Sequence, residues 1–288
     1  MNQNVLITGA STGLGLATAL HLAKIGFRVY ATSLSRADRQ TVEDRALAAD
    51  VTLRFLQLDI TNKNSIDAAI GHIIDECGEI FALVNNAGTR LRGCFEDLQD
   101  KEIRRLFKTN VFGTMAITRA VLPYMREVSC GRIIMITSVA GKIGSFGLSA
   151  YCASKFSQEG FTESIAQELL PFGIRLSIIE PGIINTEAWT TNRVIAKESA
   201  NHRSPYFNWF QRMEALSDQL VRSSRTTSLD VAKLVEKALT AKRPKLRYMV
   251  GNRAKVIFML RRYLPGEIFD RFYFNAIMRK ITRKEGCC

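Results

Sequence analysis

The amino-acid sequence predicts an α/β fold: a doubly wound parallel sheet with helices on both faces, followed by a basic C-terminal helical extension. Over residues 1–181, short apolar runs alternate with longer amphipathic stretches. The short runs are almost continuously apolar, which is typical of parallel strands buried on both faces. Strands that alternate with helices form right-handed βαβ units, and these build a doubly wound sheet.

The elements follow from these patterns in chain order. We predict strands at Val5–Thr8, Arg28–Thr32, Thr52–Leu58, Phe81–Asn85, Arg132–Ser138, Arg175–Glu180 and Arg247–Val250. Helices are predicted at Leu14–Lys24, Ser65–Glu76, Lys101–Arg126, Ala150–Leu170 and Ser228–Ala241, the last with Ser228 as its N-cap. One domain is expected over residues 1–251, with a substrate-side insertion at about 186–225. Residues 252–288 are expected to form a basic amphipathic extension.

Charge is distributed unevenly along the 288 residues, which carry a formal net charge of +13. Residues 1–190 are neutral, whereas segment 242–284 holds 13 basic and 2 acidic side chains. Three scattered histidines and six cysteines lack ligand spacing, so we expect no metal site and reduced thiols. Without a long apolar run or a signal-peptide pattern, the chain is expected to be cytoplasmic and not secreted.

A glycine-rich turn, Thr8-Gly9-Ala10-Ser11-Thr12-Gly13-Leu14-Gly15, joins the first strand to the first helix. Glycines permit positive φ and close approach of a pyrophosphate to the backbone, and the N–H groups of the helix N-terminus face the anion. The turn therefore predicts a Rossmann-like dinucleotide site, and the alternative is merely a tight connection.

The end of the second strand bears on the type of dinucleotide. Ser33 and Arg36 lie there, and no carboxylate occurs before Asp38. An acid at this place binds the ribose 2′-hydroxyl of NAD, whereas hydroxyls and an arginine suit the 2′-phosphate of NADP. NADP is therefore favoured, with NAD as the alternative. Arg36 could instead be a solvated residue that begins the next helix.

Polar residues also follow the third and fourth strands. Asp59, before Ile60, either accepts a hydrogen bond from the adenine amino group or caps the helix that begins near Asn62. Asn85-Asn86-Ala87-Gly88 either lies against the cofactor ribose or satisfies amides at the strand end. Both interpretations stay open for the two asparagines, since one residue can serve both.

Tyr151 and Lys155 are four residues apart on a predicted helix, so their side chains share one face. An ammonium about 4 Å from a phenol is worth roughly 4 kcal/mol at an effective dielectric constant near 20, which lowers the phenol pKa by up to about three units. Tyr151 then becomes a usable acid or base. Ser138, at the end of the fifth strand, can donate a hydrogen bond to a substrate oxygen.

Taken together, these motifs resemble the short-chain dehydrogenase/reductase family over roughly residues 4–190. The matching motifs are Thr8–Gly15, Asp59, Asn85–Gly88, Asn110, Ser138, Tyr151 with Lys155, and Pro181-Gly182 followed by Thr186. The resemblance implies that Tyr151 is the acid/base and that Lys155 holds the nicotinamide ribose. It also implies that Ser138 polarises the carbonyl and that Asn110 holds a water in a proton relay to Lys155.

The resemblance also implies a cofactor site. Its candidate residues are Gly9, Ser11, Thr12, Gly13, Leu14, Gly15, Ser33, Arg36, Asp59, Ile60, Asn86, Ala87, Gly88, Tyr151, Lys155, Pro181, Gly182, Ile184 and Thr186. Thr186 would lie near the nicotinamide carboxamide. The chain departs from some NADP-dependent members at Thr12, where those members carry a basic residue.

The expected substrate is a lipophilic alcohol or carbonyl compound, as in family members that handle steroids, retinoids or other lipids. Residues 89–97, 139–149 and 186–225 are expected to contact it, and they contain few fixed charges placed for an acidic substrate. Their apolar residues are either pocket walls or core and dimer contacts: Leu91, Phe95, Ile143, Phe146, Leu148, Trp189, Trp209 and Phe210. A rival function is an NADP-binding scaffold or redox sensor with little turnover.

The C-terminal extension mixes apolar and basic residues at helical spacing over 254–284. This pattern fits a helix in an anionic membrane interface, and the alternative is a helix packed over the body with its basic face in water. Cys287-Cys288 is not a prenylation box. No nucleic-acid motif accompanies the charge. The resemblance favours a homodimer or homotetramer packed through the helices that hold Asn110 and Tyr151.

Overall fold

A seven-stranded parallel sheet forms the centre of the protein in the computed structural model, which describes residues 3–184 and 194–282. Its order is β3-β2-β1-β4-β6-β7-β9. The strands are β1 (Asn4–Ile7), β2 (Arg28–Ser33), β3 (Arg54–Gln57), β4 (Ala82–Asn85), β6 (Gly131–Ile136), β7 (Ile174–Pro181) and β9 (Arg247–Val250). Two short strands, β5 (Leu91–Arg92) and β8 (Val194–Ile195), pair separately.

The order of the sheet reverses between β1 and β4, because the chain first builds outwards to β3 and then returns to the other side of β1. Helices that cross in opposite directions diverge at such a point and leave a crevice above the carboxyl ends of the strands. The predicted glycine turn and the Asn85–Gly88 segment both begin at this crevice.

Helices cover both faces of the sheet. They are α1 (Gly13–Lys24), α2 (Asp38–Ala48), α3 (Lys63–Cys77), α4 (Asp100–Phe107), α5 (Thr114–Glu127), α6 (Ser149–Leu169), α7 (Phe207–Arg222), α8 (Ser228–Thr240), α9 (Asn252–Tyr263) and α10 (Gly266–Thr282). Val5 and Ile7 point into the core under α1 and α8, while Leu6 points into the core under α3, α5 and α6. The doubly wound fold predicted from the sequence is confirmed.

Several sequence predictions of elements need correction. The predicted helix Lys101–Arg126 is α4 and α5 joined by a wider turn of π type at Lys108–Gly113. The predicted strand Thr52–Leu58 is shorter, at Arg54–Gln57. Helix α2 was not predicted, because its sequence is mostly polar and Val42 and Ala46 are its buried residues.

The N-cap of α8 is Thr227 and not Ser228. Thr227 has extended backbone angles, and its hydroxyl accepts a hydrogen bond from the Asp230 amide at 3.3 Å. The Asp230 carboxylate in turn accepts from the Thr227 amide at 2.8 Å. This reciprocal capping box selects the earlier residue, because Asp230 is three positions after Thr227.

The helices after the sheet pack against the body. Gly251 bends the chain at φ +100° between β9 and α9, and a Cβ at Gly182 would lie 3.2 Å from the Ala254 methyl group. Near the end of α10, the Ile281 carbonyl accepts a hydrogen bond from Arg212 Nη1 of α7 at 3.2 Å. Within residues 3–184 and 194–282, no helix combines the length and hydrophobicity needed to cross a membrane.

Candidate active site

The glycine turn lies at the crevice and leaves no room for larger side chains. Gly9 and Gly13 have φ of +64° and +58°. A Cβ at Gly9 would lie 2.9 Å from Ala87 Cα, and one at Gly15 would lie 2.2 Å from the Gly9 carbonyl oxygen. Helix α1 then begins at Gly13, with Ser11 and Thr12 half-buried before it. This geometry forms a cradle for an anion at a helix N-terminus.

Asn86, directly after β4, stabilises the glycine turn by hydrogen bonds. Its Nδ2 donates to the carbonyls of Thr8 at 3.0 Å and Gly9 at 2.7 Å, and the Thr8 hydroxyl accepts from the amides of Asn86 and Ala87. The buried Asn85 side chain donates to Thr118. Both asparagine side chains therefore have structural partners, and the exposed Gly88 follows them.

At the end of β2, the Asp38 carboxylate lies closer to Ser33 than its position in the sequence suggested. The Ser33 hydroxyl donates to the Asp38 carboxylate, and its oxygen lies 3.3 Å from the Ser11 hydroxyl, which can donate to it. Arg36, three residues after Ser33, is exposed. The end of β2 thus carries hydroxyls and one acid at the place where a ribose 2′-substituent is expected.

Asp59 does not cap α3. Its Oδ1 accepts from the amide and hydroxyl of Thr61, both at 2.8 Å, whereas the N-cap is Asn62, which accepts from the amides of Asn64 and Ser65. The local turn keeps Asp59 half-buried at the end of the third strand. Ile60 is buried, and a Cβ at Gly113 would lie 2.9 Å from its side chain.

Tyr151 lies near the start of α6 and is 7% exposed. Ser138 and Arg90 hydrogen-bond to its hydroxyl, and Lys155 Nζ lies 5.9 Å from its ring centroid. Burial raises the pKa of Tyr151, but the charges of Lys155 and Arg90 and the two hydrogen bonds outweigh burial, and the pKa lies below its ordinary value. Arg90 was not among the predicted site residues.

Gln158 is a second residue that the sequence analysis missed. Lys155 Nζ donates to the Ile136 carbonyl at 3.1 Å and to Gln158 Oε1 at 2.8 Å. Gln158 is 2% exposed and lies three residues after Lys155, on the same face of α6. That spacing was the available signal. Burial lowers the pKa of Lys155.

Asn110 lies in the π-type turn and is fully buried. Its Nδ2 donates to the Thr89 carbonyl at 2.9 Å and to the Ser154 hydroxyl at 3.1 Å. Its own carbonyl accepts from Gln158 Nε2 at 2.6 Å. Gln158 thus bridges the Asn110 carbonyl and the Lys155 ammonium.

The segment after β7 closes the crevice on the other side. Pro181 and Ile184 are buried, and they line a gap of about 20 Å³ together with Leu14, Arg90, Thr137, Ser138 and Gly182. The Gly182 amide donates to the Val250 carbonyl at 3.1 Å, which joins the segment to β9. The predicted site residue Thr186 lies outside the described residues.

Beneath this segment lies a cluster of four charged residues: Lys142, Glu159, Glu180 and Arg247. Glu159 accepts from the Thr137 hydroxyl at 2.7 Å and lies 3.0 Å from Lys142 Nζ. Glu180 lies 3.2 Å from Arg247 Nε. Burial and the neighbouring Glu159 carboxylate raise the pKa of Glu180 to about 7.

A cavity of about 1120 Å³ opens above Ser138 and Tyr151. Its apolar wall includes two predicted residues, Ile143 and Leu148. The rest of that wall comes mainly from α7, α9 and α10: Met213, Leu216, Leu220, Ile257, Phe258 and Ile277. Five predicted residues, Leu91, Phe95, Phe146, Trp209 and Phe210, do not line it, and Trp189 lies outside the described residues.

Comparison with known proteins agrees with this geometry. A family model described as short chain dehydrogenase matches residues 3–195. The chain belongs to the short-chain dehydrogenase family. It is therefore an oxidoreductase by family, and the resemblance noted from its motifs is confirmed.

Curated relatives of this short-chain dehydrogenase cover nearly its whole length. An uncharacterized oxidoreductase, YusZ of Bacillus subtilis, is 35% identical over 94% of this chain and 97% of its own. A 3-ketodihydrosphingosine reductase of Bacteroides thetaiotaomicron is 36% identical over 89% and 90%. Human 17-beta-hydroxysteroid dehydrogenase type 1 is 37% identical over 89% and 80%.

Solved structures have the same fold. A short-chain dehydrogenase from Streptomyces avermitilis is 29% identical, with a TM-score of 0.78 over 98% of both chains. A metagenomic short-chain oxidoreductase in complex with NADP is 25% identical, with a TM-score of 0.68 over 86% of this chain and 96% of its own.

We predict that Glu180 makes stability depend on pH. Its ordinary pKa is 4.5, and between that value and about 7 the folded state binds one more proton than the unfolded state. The free energy of unfolding therefore falls as pH rises through this window, by up to about 3 kcal/mol. Glu180→Gln removes this titration. The free energy of unfolding of the wild type minus that of the variant, both measured by urea unfolding, should therefore fall between pH 5 and 7.5.

Glu163→Gln is the matched control, because it also removes a partner of Arg247 but at an exposed position. The free energy of unfolding of the wild type minus that of Glu163→Gln should stay constant over the same pH window. Parallel curves for wild type and Glu180→Gln would show that Glu180 does not titrate there.

Proposed function

We propose that this short-chain dehydrogenase is an NAD(P)-dependent oxidoreductase that interconverts an alcohol and a carbonyl on a lipophilic substrate. One observation carries the proposal: the Tyr151 hydroxyl, with Ser138 and Lys155 beside it, lies where the apolar cavity meets the cofactor crevice. An acid/base group and a hydroxyl donor at this junction suit proton transfer to a carbonyl oxygen.

The proposed chemistry follows from these side chains. A bound nicotinamide cofactor supplies or accepts the hydride. In reduction, Tyr151 donates its hydroxyl proton to the substrate oxygen, and Ser138 donates a hydrogen bond to the same atom. In oxidation, Tyr151 takes the proton from the alcohol. Lys155 and Arg90 favour the ionised form of Tyr151 in both directions, since both carry positive charge close to its oxygen.

Gln158 is proposed as a positioning residue for Lys155. Its carbonyl oxygen accepts from the ammonium, while its amide group is held by Asn110 and by the Thr114 hydroxyl at 3.3 Å. Because both ends of the Gln158 side chain are hydrogen-bonded inside the core, Gln158 restrains Lys155 without itself lying at the crevice.

A Cβ at Gly9 or Gly15 would collide with neighbouring backbone, so both positions require glycine. The bare backbone that results, beside the N-terminus of α1, suits the pyrophosphate of a dinucleotide. We propose NADP as the preferred form, supported by Arg36 at the end of β2 and by the NADP complex of the metagenomic relative. Asp38 opposes this preference. A higher kcat/KM with NADH than with NADPH would overturn it.

Two helices of the extension, α9 and α10, are proposed to contact a membrane surface. Large apolar side chains are exposed there, among them Met259 at 60% and Phe272 at 71%, close to basic residues such as Arg262 and Arg271. Apolar side chains among cations suit an anionic bilayer. Equal liposome flotation of the full chain and of Met259→Ser/Phe272→Ser would contradict this role.

A homodimer or homotetramer is also proposed, packed through α5, α6 and the π-type turn. Phe112 is 64% exposed and Phe156 43% exposed on this surface, and exposed aromatic residues of this kind mark interaction sites. A monomeric mass by light scattering at micromolar concentration would exclude it.

We predict that Tyr151→Phe lowers kcat for reduction of ketosteroids or long-chain ketones by about 10² to 10⁴-fold, since proton transfer contributes a factor of this size. The Kd of NADPH, measured by fluorescence titration, should change little because the ring remains in place. Retained turnover would contradict the mechanism. A wild-type protein that binds NADPH but turns over no member of a lipid, steroid and retinoid panel would favour the scaffold alternative.

We also predict that Gln158→Leu raises the pKa of Tyr151. Loss of one hydrogen bond to the ammonium, worth about 1 kcal/mol, makes Lys155 less cationic. The pH profile of kcat/KM for alcohol oxidation should therefore move to higher pH, by less than the roughly 0.7 unit by which this energy lowers the pKa of Lys155 itself. Ser157→Ala, at the adjacent half-buried position, whose hydroxyl binds the Ala153 carbonyl and not Lys155, is the control and should leave the profile in place. An unchanged profile in Gln158→Leu would make Gln158 merely structural.

A further inference from the structure

The cavity above Tyr151 carries an unexpected excess of positive charge. Besides its apolar wall, it is lined by seven basic side chains: Arg90, Arg92, Arg225, Lys233, Arg253, Lys255 and Lys280. Among the described residues that line it, Asp230 is the one acid. Four of the seven, Lys233, Arg253, Lys255 and Lys280, lie outside the segments that were expected to contact the substrate.

These charges do not form one uniform group. Arg90 lies at the reacting end, against Tyr151, and Arg92 is buried with Glu214 at 2.5 Å. The other five are exposed, so they lie where the cavity meets solvent. Asp230 is also exposed, and its carboxylate is engaged by the amide and hydroxyl of Thr227.

Three of the exposed cations belong to the C-terminal helices and reach the cavity only through tertiary packing. Arg253 and Lys255 lie on α9, whose Ala254 abuts Gly182, and Lys280 lies on α10, next to the Ile281 carbonyl that Arg212 binds. Ile257, Phe258 and Ile277, on the same two helices, form part of the apolar wall. One surface therefore offers hydrocarbon contact and, at its edge, positive charge.

We infer that the substrate is an amphiphilic anion: a lipid whose chain fills the apolar part of the cavity and whose carboxylate or phosphate lies among the exposed lysines and arginines. This inference rests on the proposed function and adds the charge of the substrate to it. Exposed cations steer an anion towards the cavity and hold it there with energies that salt screens.

A set of matched ketones tests the inference. Oxo-octadecanoates with the carbonyl at different positions are compared with their methyl esters and with the corresponding oxo-alkyl phosphates and oxo-alkylamines. For the best carbonyl position, kcat/KM at low ionic strength should be about tenfold higher for the anion than for the ester, and lowest for the amine. The preference should shrink at 0.5 M NaCl. The carboxylate and phosphate arms identify which anion is preferred.

A pair of variants tests the residues. Lys255→Gln/Lys280→Gln removes two charges that line the cavity, whereas Arg262→Gln/Arg279→Gln removes two from the same helices outside it. The first variant should lower kcat/KM for the anion by about tenfold and leave that for the ester unchanged, since each exposed charge contributes up to about fivefold. The second should change neither, and equal thermal midpoints would confirm that both fold.

The outcomes separate the two proposals. Equal kcat/KM for anion and ester, or equal losses in both variants, would overturn the anionic substrate and leave the oxidoreductase proposal standing. Turnover of none of these ketones, with NADPH bound, would overturn the anionic substrate, and the oxidoreductase proposal would fall with it only if the lipid, steroid and retinoid panel also gave no turnover.

Discussion

The position of one buried ammonium determines much of this structure. Lys155 is 5% exposed, and an unpaired charge at such a place costs several kcal/mol. The ammonium is satisfied by the Ile136 carbonyl of β6 and by Gln158, which in turn binds the Asn110 carbonyl in the π-type turn. Strand β6, helix α6 and this turn must therefore meet before the charge can be buried, so the contacts that stabilise the fold are also those that place Lys155 near Tyr151.

The same dependence extends to the far edge of the sheet. Glu159 lies one residue after Gln158 and forms ion pairs with Lys142 and Arg247, and Arg247 begins β9. After β9, Gly251 turns the chain so that α9 packs against Gly182 beside the crevice. The basic C-terminal helices are thus connected to the candidate active site through a continuous set of contacts, and their charge belongs to a cavity wall as well as to the surface.

Patterns within one element were predictable from the sequence. Gly9 and Gly15 indicated a turn in which a Cβ cannot fit, and the spacing of Tyr151 and Lys155 placed both on one helix face. Contacts between distant segments were not predictable in this way. Gln158 reaches Asn110, 48 residues earlier in the chain, because the chain widens into a π-type turn, for which the sequence carries no periodic signal.

The sequence by itself determined the sheet, the glycine cradle and the Tyr151–Lys155 pair, since each depends on spacing between neighbouring residues and on the burial of apolar runs. It also determined that the chain carries its excess charge near the C-terminus. Only the tertiary structure decided where that charge lies. Lys255 and Lys280 line the cavity because α9 and α10 fold back over the carboxyl ends of β7 and β9. Such convergence arises from long-range packing, which no local spacing encodes.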